Sequence, residues 1–234
     1  MLKSKASHTT NEAVRETFSI KRCQSSIAFK EGESANGFSP WSPSLPPGLP
    51  LSSPPMFPPV EVEALPTSFQ HYFSPKEPHL YYMFRQGPVC FIVLDTGEDK
   101  PDSDIEYSGI TDYDNYRTEQ AEWLKEAVRS EEFRDARFRV VIAHMPPQPI
   151  KGLWHGPQEV LEKFVPILNE AGIDAMLCGH LHRYIHCKPD ARVKFPVIIN
   201  SKDMVIDGQT QGNRLQLKVL DTKGTLVDKI VLTK

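Results

Sequence analysis

From about Phe69 onward, apolar residues recur in short regular runs, whereas before it they are scattered among serine, proline and charge. Arg137–Ala143 and Asp174–Cys178 are short, apolar and rich in β-branched or bulky residues, which suits strands buried on both faces of a sheet. His79–Phe84 and Val89–Leu94 read as two further strands joined at the Gly87-Pro88 turn. Phe195–Asn200, Leu215–Leu220 and Thr225–Leu232 complete the set, the last two joined by a turn at Asp221–Gly224. Alternation at Leu215, Leu217 and Val219 predicts an antiparallel sheet with one solvated face. Two helices separate the central strands. Thr118 is placed to cap one running to about Phe133, with Ala121, Leu124, Ala127 and Val128 on its apolar face. Pro157 opens the other, Pro166 should kink it and Gly172 should end it.

Residues 1 to about 35 show no sustained period, and from Gly37 to Pro66 proline pairs recur at 46–47, 54–55 and 58–59. Such a stretch excludes helix and central strand and favours extended polyproline geometry. The predicted organisation is therefore a disordered Ser/Pro-rich arm over residues 1–66 and one α/β domain over residues 67–234. The arm reads as a linker, or more sharply as a ligand for an SH3-like or WW-like domain.

A net charge of −3 over 234 residues, with no basic stripe, gives no reason to expect a nucleic-acid partner or an anionic membrane. The first twenty-five residues lack an apolar signal-peptide core, and no stretch is apolar enough to span a bilayer. Of the four cysteines, Cys90 and Cys178 fall inside predicted strands and read as small buried hydrophobes. Asp102, Asp104 and Glu106 have the spacing of a calcium loop, but Tyr107 stands where that loop needs glycine, so the stretch reads as a solvated loop.

The order strand, helix, strand between Arg137 and Cys178 is a βαβ unit, and open α/β sheets bind ligands beyond the carboxyl ends of their strands. His144, His180 and His182 lie at that edge. Three imidazoles there are a start on a transition-metal site, with Gly179 expected to let the chain turn so that His180 and His182 aim at a common point. A structural zinc knot from Cys178, His186 and Cys187 is the weaker alternative, because Cys178 should face the core.

Gly179-His-Leu-His182 with Arg183-Tyr184, and Ala143-His-Met-Pro-Pro147 at a strand end, resemble the last two metal motifs of the calcineurin-like metallophosphoesterases. Gln120-Ala-Glu-Trp-Leu124 and Phe91-Ile-Val-Leu-Asp-Thr96 are similar to its purple acid phosphatase-like branch. The resemblance covers roughly Phe69 to the end and implies the C-terminal half of a metallophosphoesterase-type αββα sandwich. It implies hydrolysis of phosphate esters by a hydroxide bridging two divalent or trivalent ions of iron, zinc or manganese, which in such sites lie ~3.5 to 4 Å apart. Carried over by position, His144 and His180 would bind the second metal and His182 the first, with His155 the catalytic residue that contacts phosphate or protonates the leaving group. The family's upstream Asp-x-His, Gly-Asp and Gly-Asn-His motifs have no counterpart here. The resemblance thus implies an incomplete domain, a truncated phosphoesterase. The alternatives are a non-catalytic interaction module or a degenerate metal-binding remnant, and related enzymes are often exported.

Overall fold

The structure is a computed structural model that describes residues 16–21, 27–28, 80–147 and 154–234; for the first two stretches it describes the backbone elements alone. The strands in chain order are β1 (Glu16–Lys21), β2 (Ile27–Ala28), β3 (Tyr82–Gln86), β4 (Val89–Leu94), β5 (Phe138–Ala143), β6 (Ala175–Cys178), β7 (Ile185–Cys187), β8 (Val197–Ile199), β9 (Met204–Gln211), β10 (Arg214–Asp221) and β11 (Leu226–Thr233). Helices α1 (Tyr113–Ala127) and α2 (Glu131–Arg134) precede β5. Between β5 and β6, α3 (His155–Glu159) runs through a π-helical stretch, Val160–Phe164, into α4 (Val165–Ala171).

Two sheets result. One has six strands in the order β3-β4-β5-β6-β8-β7, the other five in the order β11-β10-β9-β1-β2. β4, β5, β6 and β8 are parallel, and β3 and β7 close the edges antiparallel. Period-two alternation splits each central strand between two cores. From β4, Val89 and Phe91 join Phe138, Val140, Leu177, Leu215, Leu217 and Val219 between the sheets. Cys90, Ile92 and Leu94 face the other way, meeting Leu124, Phe133, Phe164 and Leu168 of the helices. Each large apolar side chain so buried contributes about 1.5–3 kcal/mol. Helix on sheet on sheet gives three layers of a sandwich, the α/β architecture expected of a C-terminal half. Among the described residues, no helix is long and apolar enough to cross a membrane.

Several elements differ from expectation. The first long helix starts at Tyr113 rather than beyond Thr118, because its cap is remote: Asp102 accepts from the N–H groups of Tyr113 (2.8 Å) and Asp114 (2.9 Å). Burial alone would raise the Asp102 pKa, but these two bonds bring it below the usual carboxylate range. Asp104 caps the 3₁₀ turn Ile105–Tyr107 and Glu106 pairs with Lys100, so the acidic loop is spent on local structure. The same helix ends at Ala127, and Ser130 caps the separate α2 through the N–H of Phe133. Near Pro166, whose missing N–H would break the α-helical ladder, the chain widens into the π-helical stretch. Gly172 ends α4 in the left-handed region at φ 65°. Within the arm expected to lack regular structure, Glu16–Lys21 forms a strand that pairs with β9 along its whole length. Ile27–Ala28 pairs antiparallel with that strand as β2, and the remainder of the arm, with its proline pairs, lies outside the described residues.

The sheets are also tied by polar contacts. Tyr184 donates to Asp228 Oδ2 at 2.5 Å, and His186 Nδ1 lies 3.1 Å from the same oxygen. The Tyr184 hydroxyl, with the Lys229 N–H and His186, holds the Asp228 carboxyl below its usual range against partial desolvation. A depressed folded pKa stabilises fully above the unfolded value, about 4, and the contribution is lost as pH falls through the folded one. Asp228→Asn is therefore expected to flatten the fall of melting temperature below about pH 4, read by circular dichroism from pH 2 to 7. An unchanged slope would remove Asp228 from the acid response.

Candidate metal centre at the strand ends

Parallel register delivers the histidines. Leu94 pairs with Ala143, and Ile142 with Leu177, so the ends of β4, β5 and β6 lie side by side. His144 follows β5 directly and its carbonyl accepts from the N–H of Gly179 at 2.9 Å, bringing the turn after β6 against it. In that turn Leu181 N–H donates to Gly179 O at 2.7 Å across His180. His180 has φ 68° and His182 φ 54°. The left-handed positions expected to be relieved by Gly179 are thus taken by the histidines themselves. A three-residue turn of this hand is rare and strained, costing about 1–3 kcal/mol, and such strain collects at functional positions.

His180 Nδ1 stands 3.4 Å from His144 Nε2, with the rings at 86°. Two ligands about 2.1 Å from one tetrahedral ion lie about 3.4 Å apart, so the pair fits two nitrogens on a single metal. The other nitrogen of His180 faces Asp99, with Nε2 3.7 Å from Oδ2. Burial, helped by His144 and more weakly by His182 and opposed in part by Asp99, pushes His180 below the usual histidine range. The shift favours the neutral form, the one that binds metal.

The Asp95–Asp99 turn is tied down at nearly every residue. Gln120 bonds both the N–H (2.9 Å) and the carbonyl (2.7 Å) of Asp95, and Tyr116 donates to the Asp95 carboxylate at 3.2 Å. Arg117, fully buried, donates from Nε to Thr96 O at 2.8 Å and from Nη2 to Glu98 O. Gly156 N–H reaches Asp99 O at 2.9 Å. A Cβ at Gly156 would lie 2.7 Å from Glu98 O and 2.9 Å from Asp99 Cα, backbone atoms with nowhere to go. Gly156→Ala is expected to cost about 1–3 kcal/mol by overpacking, read by urea unfolding; a change under about 0.5 kcal/mol would show that the turn can yield.

His155 is held elsewhere. Its Nε2 is 2.7 Å from Asp114 Oδ1, and Asp114, His155 and Glu159 are the one group of three potential ligands within 4.8 Å of one another among the described residues. Arg117 already contacts Asp114 (3.0 Å) and Glu159 (3.2 Å), and Lys163 reaches Glu159 at 2.8 Å. Two cations therefore stand where an ion would sit, and a dication would have to displace them. His182 is exposed, its carbonyl accepting from Ser201 Oγ at 3.3 Å, and joins no such group. Of the four expected residues the fold brings His144 and His180 together. Cys178 faces the core and His186 turns to Asp228, which leaves no zinc knot.

Sequence reasoning missed Asp99 and Arg117. Arg117 lies on the same helical stripe as Gln120, Ala121 and Leu124, and a charge on an apolar stripe was the available signal. Asp99 had only its place just past a strand end.

A family model described as calcineurin-like phosphoesterase matches residues 63–184. Among solved structures, a purple acid phosphatase from yellow lupin (Lupinus luteus) seeds superposes with a TM-score of 0.50 at 11% identity, over 67% of this chain and 33% of that one. A dimetal phosphatase from Danio rerio gives 0.46 at 13% identity, over 65% of this chain and 60% of the other. The chain therefore spans about a third of the lupin enzyme's length. No curated protein matches it in sequence.

Proposed function

The chain belongs to the calcineurin-like phosphoesterase family, and from that premise we propose that it carries the histidine half of a centre for hydrolysing phosphate esters. The observation that carries this reading is the 3.4 Å approach of His144 Nε2 and His180 Nδ1 at the carboxyl edge of two parallel strands. The residues described fit one transition-metal ion, of zinc, iron or manganese, held by His144 and His180. A bound ion of this kind would supply Lewis-acid charge to the phosphoryl oxygens. His182, on the same turn, is the donor offered to the other, first ion of a dinuclear pair, whose remaining ligands the described residues do not bring together. His155, engaged through Nε2 by Asp114, has Nδ1 left for a phosphoryl or leaving-group oxygen.

A second reading is favoured by the two cations already neutralising Asp114 and Glu159 and by the separation of His182 from the pair: a non-catalytic, metal-binding member of the family. Elemental analysis of the dialysed, folded chain decides between them together with hydrolysis of an aryl phosphate ester. About one ion per chain with turnover supports the enzyme. One ion without turnover supports the second reading, and no bound transition metal overturns both.

A further inference from the structure

Resting on the reading that His144 and His180 hold an ion, we propose that Asp99 is a positioning residue for that site: its carboxylate engages Nε2–H of His180 and so presents Nδ1, unprotonated, beside Nε2 of His144. An imidazole has two nitrogens, and the proton carried by one leaves the other free to bind metal. Metal-ligating histidines characteristically give that proton to a carboxylate or carbonyl, which fixes ring orientation and raises ligand basicity. Here the two nitrogens of His180 face two different partners, His144 Nε2 at 3.4 Å on one side and Asp99 Oδ2 at 3.7 Å on the other. The second distance is a close approach, longer than a hydrogen bond. A bond of about 2.9 Å needs the carboxylate to close by roughly 0.8 Å, a movement within side-chain reach and too small a gap for a water between.

What makes Asp99 more than a neighbour is the way its backbone is held. Arg117 grips Thr96 O and Glu98 O, Gly156 N–H takes Asp99 O, and Thr96 Oγ1 accepts from the N–H of Met145, the residue after His144. The turn that bears the carboxylate is thus fastened both to the helices and to the strand end that bears the other imidazole. Among the described residues, the charged or chargeable partner recorded for the Asp99 carboxylate is His180. Asp99 therefore supplies negative charge that the imidazole pair itself lacks. It does so through His180 rather than as a ligand, because it faces the nitrogen away from His144.

Two measurements on the full chain test this, and they fail separately. In long-range ¹H–¹⁵N spectra of the metal-free protein above pH 7.5, with His180 assigned through His180→Gly, the native chain is expected to show a downfield Nε2–H resonance protected from exchange with water. Asp99→Ala should lose it. Absence of that resonance in the native chain, or its persistence in Asp99→Ala, overturns the proposal whether or not any metal binds. Titration with Zn²⁺ should then find affinity about 10- to 100-fold weaker in Asp99→Ala and in the near-isosteric Asp99→Asn, at unchanged thermal stability of the metal-free chain. Equal affinity in the variants overturns the proposal; a native chain that binds no Zn²⁺ overturns the metal reading beneath it.

Discussion

Arg117→Met should lower the unfolding free energy by about 3–5 kcal/mol, the cost of removing one partner from a buried charged network. The guanidinium is wholly buried and gives its N–H groups to two carbonyls, Thr96 and Glu98, and to two carboxylates, Asp114 and Glu159. Methionine fills the volume but leaves all four acceptors without that donor, and Glu159, largely buried itself, would keep only Lys163. Arg117→Lys keeps the charge but cannot span four acceptors from a single ammonium, so it should fall between native and Arg117→Met. Urea unfolding followed by near-ultraviolet circular dichroism reads both. A loss below about 1 kcal/mol for methionine would mean that water enters and satisfies the turn.

The same residue shows where sequence reading stops. Strands β3, β4, β5, β6, β8, β10 and β11 were legible, most of them as an apolar run or an alternation, though β3 runs Tyr82–Gln86 rather than ending at Phe84. β9 was not, because its inward positions include Gly208 and Thr210 beside Ile206 and so give no hydrophobic period. β1 was not either: what identifies it is pairing with β9, a partner nearly two hundred residues away in sequence. The early start of α1 was hidden for a similar reason, since its cap, Asp102, lies ten residues before the helix's flanking position, Asp112.

The candidate site divides along the same line. His144 and His180 could be read because strand ends and a βαβ order place them without further information. His155 could be found but not placed, since its partner, Asp114, belongs to a helix whose start was misjudged. Asp99 could not be singled out among the acidic residues following β4. Its position depends on a buried arginine, a glycine pressed against the turn and a glutamine that brackets Asp95, all from elements distant in sequence. Tertiary contacts, rather than local propensity, bring that carboxylate to the histidine.

His180→Gly should separate stability from metal binding. A side chain at φ 68° costs about 1–2 kcal/mol that glycine does not pay, while the extra freedom of glycine in the unfolded chain returns roughly 0.5–1 kcal/mol of that gain. The variant is therefore expected to be as stable as the native chain or more stable by up to about 1 kcal/mol. Zn²⁺ affinity should fall by more than about 100-fold, beyond the loss expected for an outer-shell residue, because one of two facing nitrogens is gone. His144→Ala should give the same loss of affinity without the gain in stability, since His144 is not among the residues at positive φ. Thermal unfolding of metal-free protein and calorimetric titration with Zn²⁺ give the two readings on each sample. If His180→Gly unfolds several degrees below the native chain, the turn is not strained, and the backbone conformation at 180 loses its claim to be maintained for the ion. If it binds Zn²⁺ as tightly as before, His180 is no ligand. A fall in affinity with stability preserved would show that this turn trades backbone strain for the placement of an imidazole.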